Sequence, residues 1–120
     1  MGLLFRKDRN KKLPWQPINS IEELMLTFGN NERPRLYFKH STRCVISSMA
    51  LKAFENRWDA SNKCDIYFID LLRHRGVSNK IAEELNVKHE SPQVILVVNN
   101  EVVHHASHSS ISANAILDKI

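Results

Sequence analysis

The sequence predicts an α/β domain: a mixed central sheet flanked by helices on both faces. Three observations carry this. Two β-rich runs, residues 36–40 and 65–70, are separated by a long stretch of helical periodicity, so they must lie parallel with a right-handed crossover. Two valine-rich runs, residues 93–98 and 101–106, are separated only by Asn99-Asn100, the signature of an antiparallel hairpin. Helical segments fill the remaining intervals, giving the order α-β-α-β-α-β-β-α.

Each element has its own signal. Residues 1–14 read as a basic N-terminal tail and residues 15–120 as a single domain. Trp15 to Ile18 is a short extended segment flanked by prolines. Ser20 with Glu23 three residues on is a capping-box pattern, and Ile21, Leu24, Met25 and Phe28 then share one helical face. Gly29-Asn30-Asn31 stops that helix. Leu36 to His40 is the first core strand. From Arg43 to about Asp59, Ile46, Met49, Ala50, Ala53, Phe54 and Trp58 recur at three- and four-residue steps and predict an inward apolar stripe. Ser61-Asn62-Lys63 is a turn, and Asp65–Asp70 is a strand apolar on both faces, hence central. Ser78 is the expected cap of a short helix carrying Ile81, Ala82 and Leu85. Residues 88–92 form a loop ahead of the hairpin. Ser109 or Ser110 is the expected cap of the last helix, with Ile111, Ala115, Ile116 and Ile120 inward.

The chemistry concentrates where the first core strand meets the long helix. Arg35-Leu36-Tyr37-Phe38-Lys39-His40 runs into the polar turn Ser41-Thr42-Arg43, and Cys44 follows as the helix begins. In a mixed sheet of this kind the functional groups collect at the carboxyl ends of the parallel strands. The first N–H groups of a helix have no internal partner and favour an anion. A cysteine in the first turn, with Ser41 or Thr42 as N-cap and Arg43 beside it, is expected to titrate below the free value of about 8.5. A lone cysteine is more often an inert, buried hydrophobe; the strand–turn–helix setting argues for a reactive thiol. Cys64 precedes the second parallel strand, at the opposite end of the sheet. Six residues of strand separate the two ends by roughly 20 Å, too far for a disulfide. Cys64 is therefore not a resolving thiol.

Charge and composition narrow the classes. The chain has 120 residues, 42% of them hydrophobic and 25% charged. Arg6, Lys7, Arg9, Lys11 and Lys12 against Asp8 account for the whole formal net charge of +4, which leaves a neutral body. That argues against a nucleic-acid partner. No apolar run reaches the roughly 18 residues of a membrane span, and Leu3-Leu4-Phe5 is too short for a secretory core. A cytoplasmic location and no membrane partner are expected. His104 and His105 face opposite sides of a strand, so with His108 they do not make a convincing metal site, and none is expected. His40 and His89 each precede a functional segment, as acid–base groups or as turn hydrogen-bonding groups. Lys39 and Arg43 are candidates for holding an anionic ligand.

Taken together, four motifs resemble those of the monothiol bacilliredoxins, the YtxJ-like family of the thioredoxin superfamily. They are Phe38-Lys39-His40-Ser41-Thr42-Arg43-Cys44-Val45-Ile46-Ser47, Arg75-Gly76-Val77-Ser78-Asn79, His89-Glu90-Ser91-Pro92-Gln93 and Ala106-Ser107-His108. The resemblance spans residues 15 to 118. It implies a thioredoxin-like fold and a thiol-disulfide oxidoreductase with Cys44 as the catalytic nucleophile. Ser47 stands at the position of the second thiol of a CxxC pair, and Val45 where the family usually has proline. The resemblance further implies a cis Ser91-Pro92 bond beside the cysteine, and a substrate-binding set of Thr42, Arg43, Ser47, His89, Ser91 and Pro92. Client proteins carrying mixed disulfides would be the partners. Bacillithiol, or a similar low-molecular-weight thiol, would be the co-substrate, with no bound cofactor. A redox-silent thioredoxin-like adaptor, binding partners through the Pro92 loop, is the alternative from a different class.

Overall fold

A computed structural model describes residues 13–29, 33–60 and 63–120. The basic run of the tail, Asn30-Asn31 and Ser61-Asn62 fall outside the described residues. Leu13, assigned above to the tail, packs against the core.

Among the described residues five strands form one sheet, with Asp65–Asp70 between Gln16–Pro17 and Arg35–His40, and Gln93–Val98 between Arg35–His40 and Glu101–Ser107. β1 (Gln16–Pro17) and β2 (Arg35–His40) both pair parallel to β3 (Asp65–Asp70). β4 (Gln93–Val98) runs antiparallel to β2, and β5 (Glu101–Ser107) antiparallel to β4. The hairpin turn is set by Asn99 and Asn100, both at positive φ (52° and 64°), the conformation of a two-residue turn that matches strand twist and that asparagine tolerates.

Helices cover both faces. The long helix α2 (Val45–Arg57) and the short α4 (Ala113–Leu117) lie over one face, where Phe54, Trp58, Ala113 and Ile116 pack on Leu36, Phe38, Ile66, Val94 and Leu96. Helices α1 (Ile21–Leu26) and α3 (Arg75–Leu85) lie over the other, where Leu24, Val77 and Ile81 meet Tyr37, Ile69, Ile95 and Val97. The two sets alternate along each strand, as a pleat buried on both faces requires.

Several local expectations change. Ser20 does cap α1, its Oγ accepting from Glu23 N–H at 3.1 Å. The Glu23 carboxylate reaches back to Asn19 N–H at 2.7 Å rather than to the cap itself. Ile21 and Met25 are exposed, so Leu24 alone is buried on that helix. α3 begins at Arg75 with His74 as N-cap, which puts Ser78 inside the helix and fully buried. The last helix is capped by Ser112, whose Oγ accepts from Ala115 N–H at 3.3 Å; Ser109 and Ser110 belong to a preceding 3-10 turn.

The largest correction is in α2. Its inward ridge is Ser47, Leu51 and Phe54, leading to the C-cap Trp58; Phe54 and Trp58 lie inward as expected, whereas Ile46 and Met49 do not. Val45, Ile46 and Met49 are 74%, 56% and 65% exposed. A serine occupies the inward position of the first turn, so the apolar pattern pointed to the wrong side of the helix there.

Candidate active site

β2 ends at His40, and the turn Ser41-Thr42-Arg43 carries the chain to Cys44. Cys44 is the N-cap of α2, with extended backbone (φ −103°, ψ 121°). This corrects the expectation that Ser41 or Thr42 caps the helix. Ser41 instead closes the turn, its carbonyl accepting from Cys44 N–H at 3.2 Å. The half-buried Cys44 makes no side-chain capping bond. Among ordinary N-caps the side-chain acceptor takes the second or third helical N–H. Cys44 occupies that cap position at the start of α2.

Ser47, one turn on, is fully buried. Its Oγ accepts from Ser41 N–H at 3.0 Å and lies 2.7 Å from His40 Nδ1. With its hydroxyl committed to the protein and no exposed surface, Ser47 does not reach a substrate, contrary to the expectation. His40 is itself buried, and burial holds its pKa below the ordinary value against the opposing pull of Asp70 and Glu55. A neutral imidazole is what accepts the Ser47 proton at Nδ1.

The register of β2 with β4 pairs Lys39 with Gln93. Continued, that register sets Pro92 level with His40 and Ser91 one residue beyond it, at the end of the sheet that carries Cys44. The Ser91-Pro92 bond is cis. The loop before it is held from beneath. His89 Nδ1 is 3.2 Å from Lys39 Nζ and 3.1 Å from Ser78 Oγ. Gln93 Nε2 donates to Lys88 C=O at 2.9 Å. On the far side Glu90 accepts a hydrogen bond from Ser107 Oγ, and Pro92 C=O accepts from His108 N–H at 3.0 Å. His89 is thus engaged inward, half-buried, and its pKa is pushed down by burial, then by Lys39 and Arg75, against Glu90. Ser91 Oγ is buried and has no hydrogen-bond partner among the described residues.

Lys39 was expected to meet an anion at the surface. It is fully buried on the face opposite His40, and burial with repulsion from Arg75 lowers its pKa to about 8. Thr42 and Arg43 are exposed in the turn. Of the residues marked by the sequence, Thr42, Arg43, Cys44, Ser91 and Pro92 thus gather at one end of the sheet. Ser47 and His89 lie beneath them as supports. Sequence reasoning missed Ser78, which it assigned to a cap; the strand periodicity of residues 35–40 would have placed Lys39 inward.

The exposed side of α2 and the segment after β5 border a groove of about 380 Å³, lined mainly by Ile46, Met49, Ala50, Ala53 and Ile111. Cys64 is buried just before β3, and burial, followed by the charge of Asp65, pushes its thiol up to about 12.

The family model of the monothiol bacilliredoxin BrxC matches residues 16–116. A solved protein described by its thioredoxin fold is 31% identical, with a TM-score of 0.72, over 85% of this chain and 89% of that one. Thioredoxin from Malassezia sympodialis is 16% identical with a TM-score of 0.65, covering 90% of this chain and 89% of its own. Mitochondrial thioredoxin 3 from Saccharomyces cerevisiae is 14% identical with a TM-score of 0.62, covering 88% and 92%. The last two establish the fold alone. With a cysteine capping a helix at the carboxyl end of a parallel strand, a cis-proline loop at the same end of the sheet and serine in place of a second thiol, the chain belongs to the monothiol bacilliredoxin family.

Proposed function

We propose that the protein is a monothiol thiol-disulfide oxidoreductase that removes bacillithiol from mixed disulfides on client proteins, with Cys44 as nucleophile. The Cys44 thiolate attacks the bacillithiol sulfur of the client mixed disulfide. A Cys44–bacillithiol disulfide forms, the client sulfur–sulfur bond breaks, and the client thiolate leaves and takes up a proton. A second bacillithiol thiolate then attacks the bacillithiol sulfur of the adduct, releasing Cys44 and forming bacillithiol disulfide.

The observation that carries this reading is the isolation of Cys44. The hydroxyl of Ser47 is buried and cannot form a disulfide, and Cys64 is buried at the other end of the parallel strands. A cycle that uses Cys44 has no thiol within the chain to resolve it. Thr42, Arg43, Ser91 and Pro92 share the end of the sheet that carries the thiol, and Arg43 offers a cation to the carboxylates of bacillithiol. The test is incubation with a bacillithiol-modified client, followed by intact mass. A one-to-one adduct on Cys44, released by added bacillithiol, supports the proposal. An adduct with glutathione and none with bacillithiol removes the named thiol.

The exposed Val45, Ile46 and Met49 beside Cys44 favour contact with a protein and keep the adaptor reading in play. An adaptor would bind clients with its affinity unaltered in Cys44→Ser and would carry out no transfer even as wild type.

A further inference from the structure

Lys39 and His40 are consecutive on β2 and point to opposite faces of the sheet. Both are buried, and each reaches a different loop of the site. On one face the chain of bonds runs from His40 Nδ1 to Ser47 Oγ, 2.7 Å, and from Ser47 Oγ to Ser41 N–H, 3.0 Å. It ends in the turn that carries Cys44. On the other face Lys39 Nζ lies 3.2 Å from His89 Nδ1, which is also 3.1 Å from Ser78 Oγ on α3. A charged lysine only donates, so His89 Nδ1 accepts. This second chain ends in the loop that carries Pro92, where Gln93, the cross-strand partner of Lys39, also ties down Lys88.

We infer that the last two residues of β2 are positioning residues with separate duties: His40, through Ser47, holds the Cys44 turn, and Lys39, through His89, holds the Pro92 loop. The inference rests on Cys44 being the nucleophile. It assigns Ser47 a purpose beyond replacing a thiol: the hydroxyl pegs the turn from below. It also explains why a lysine whose burial opposes its charge stands inside the sheet. Its ammonium is the donor that His89 receives.

The consequence is separability. The His40 arm governs how Cys44 is presented to any electrophile. The Lys39 arm governs the loop that an extended client would meet. The variants are Ser47→Ala, His40→Asn, Lys39→Met and Lys39→Arg. Asparagine places an acceptor near the position of Nδ1, and methionine keeps the length of lysine without its charge.

Three readouts are needed: iodoacetamide alkylation of Cys44 followed by peptide mass, hydrogen exchange of the two loops, and steady-state turnover of a bacillithiol-modified client. Ser47→Ala is expected to slow alkylation about tenfold, a loss on the scale of small geometric misplacements, and to raise exchange over residues 41–44 only. His40→Asn is expected to stay within about threefold of wild type, since it keeps the acceptor. Lys39→Met is expected to leave alkylation within about twofold, raise exchange over residues 87–91 only, and raise the client KM about tenfold with kcat little changed. Lys39→Arg is expected to recover most of that KM, because it restores a donor.

Loss of alkylation in Lys39→Met equal to that in Ser47→Ala, exchange rising in both loops together, or no effect of Ser47→Ala would each overturn the inference. If wild type transfers no bacillithiol, the proposed substrate falls. Alkylation and exchange still decide whether the two arms act separately.

Discussion

Cys44 and Cys64 stand at opposite ends of the same pair of parallel strands, and the comparison shows how one fold makes two different thiols. Cys44 follows the carboxyl end of β2, half-buried, at the first donors of a helix. Cys64 precedes the amino end of β3, fully buried in the cluster formed by Phe54, Trp58 and Ile66. Among the described residues no helix begins beside it, and burial with Asp65 nearby opposes its ionisation. The end of the strand on which a cysteine falls, rather than any property of the residue, separates a candidate nucleophile from a packing group.

The largest expected effect comes from exchanging the roles of the two thiols. Cys44→Ser should abolish formation of the bacillithiol adduct, and Cys64→Ser should leave it nearly intact, both read by intact mass. Next in size is the difference in access. In the native protein one thiol should react readily with iodoacetamide, and the second about 100-fold more slowly or slower still, because Cys64 must wait for the core to open. Comparable rates at both positions would break the comparison.

Alkaline pH sharpens it further. The folded Cys64 keeps its proton up to about 12, against an ordinary value of 9.0. Its contribution is present below about pH 9 and is lost as pH rises towards 12. Lys39 has the opposite sign. Its folded value of about 8 lies below the ordinary 10.5, so the unfolded chain binds more protons between them, and stability rises across that interval. Denaturant titrations from pH 7 to 11 should show Cys64→Ala losing less stability than wild type above pH 9. Tyr37 and Tyr67, whose burial also raises their pKa, supply the part of the loss that remains. Lys39→Met should lack the rise above pH 8 and should be at least as stable as wild type at pH 7, since it removes a buried cation.

The smallest expected effect is at Arg43. It is exposed, so Arg43→Ala should slow exchange with an anionic thiol only about threefold, the scale of a solvated charge. Added salt should narrow the gap. Cys64, far from this cation, should react at the same rate in both proteins.

Much of the scaffold that sets the two thiols apart was legible in the sequence. The strands 65–70 and 93–98 were readable to the residue because they are dense in β-branched and aromatic side chains and bounded by polar turns. The Asn99-Asn100 turn announced the hairpin. The placement of Cys44 at a helix start followed from the polar turn before it. What was hidden was the polar interior of the site. Ser47 occupies an inward helical position because His40 satisfies its hydroxyl, and no apolar periodicity can register such a pair. Ser78 resembles a cap by composition, yet it is buried because His89 folds back onto it from eleven residues away. Lys39 reads as a surface charge until the strand is known to be covered on both faces. In each case the deciding partner is distant in sequence, so local pattern alone pointed to the bland reading.

The central claim is that Cys44 works alone, and intact mass after exposure to a bacillithiol-modified client tests it most directly. The account predicts one bacillithiol per chain, located on Cys44, with Cys64 still alkylatable after unfolding and no internal disulfide. A Cys44–Cys64 bond within one chain, or a client left fully modified after prolonged incubation with the native protein, would contradict it.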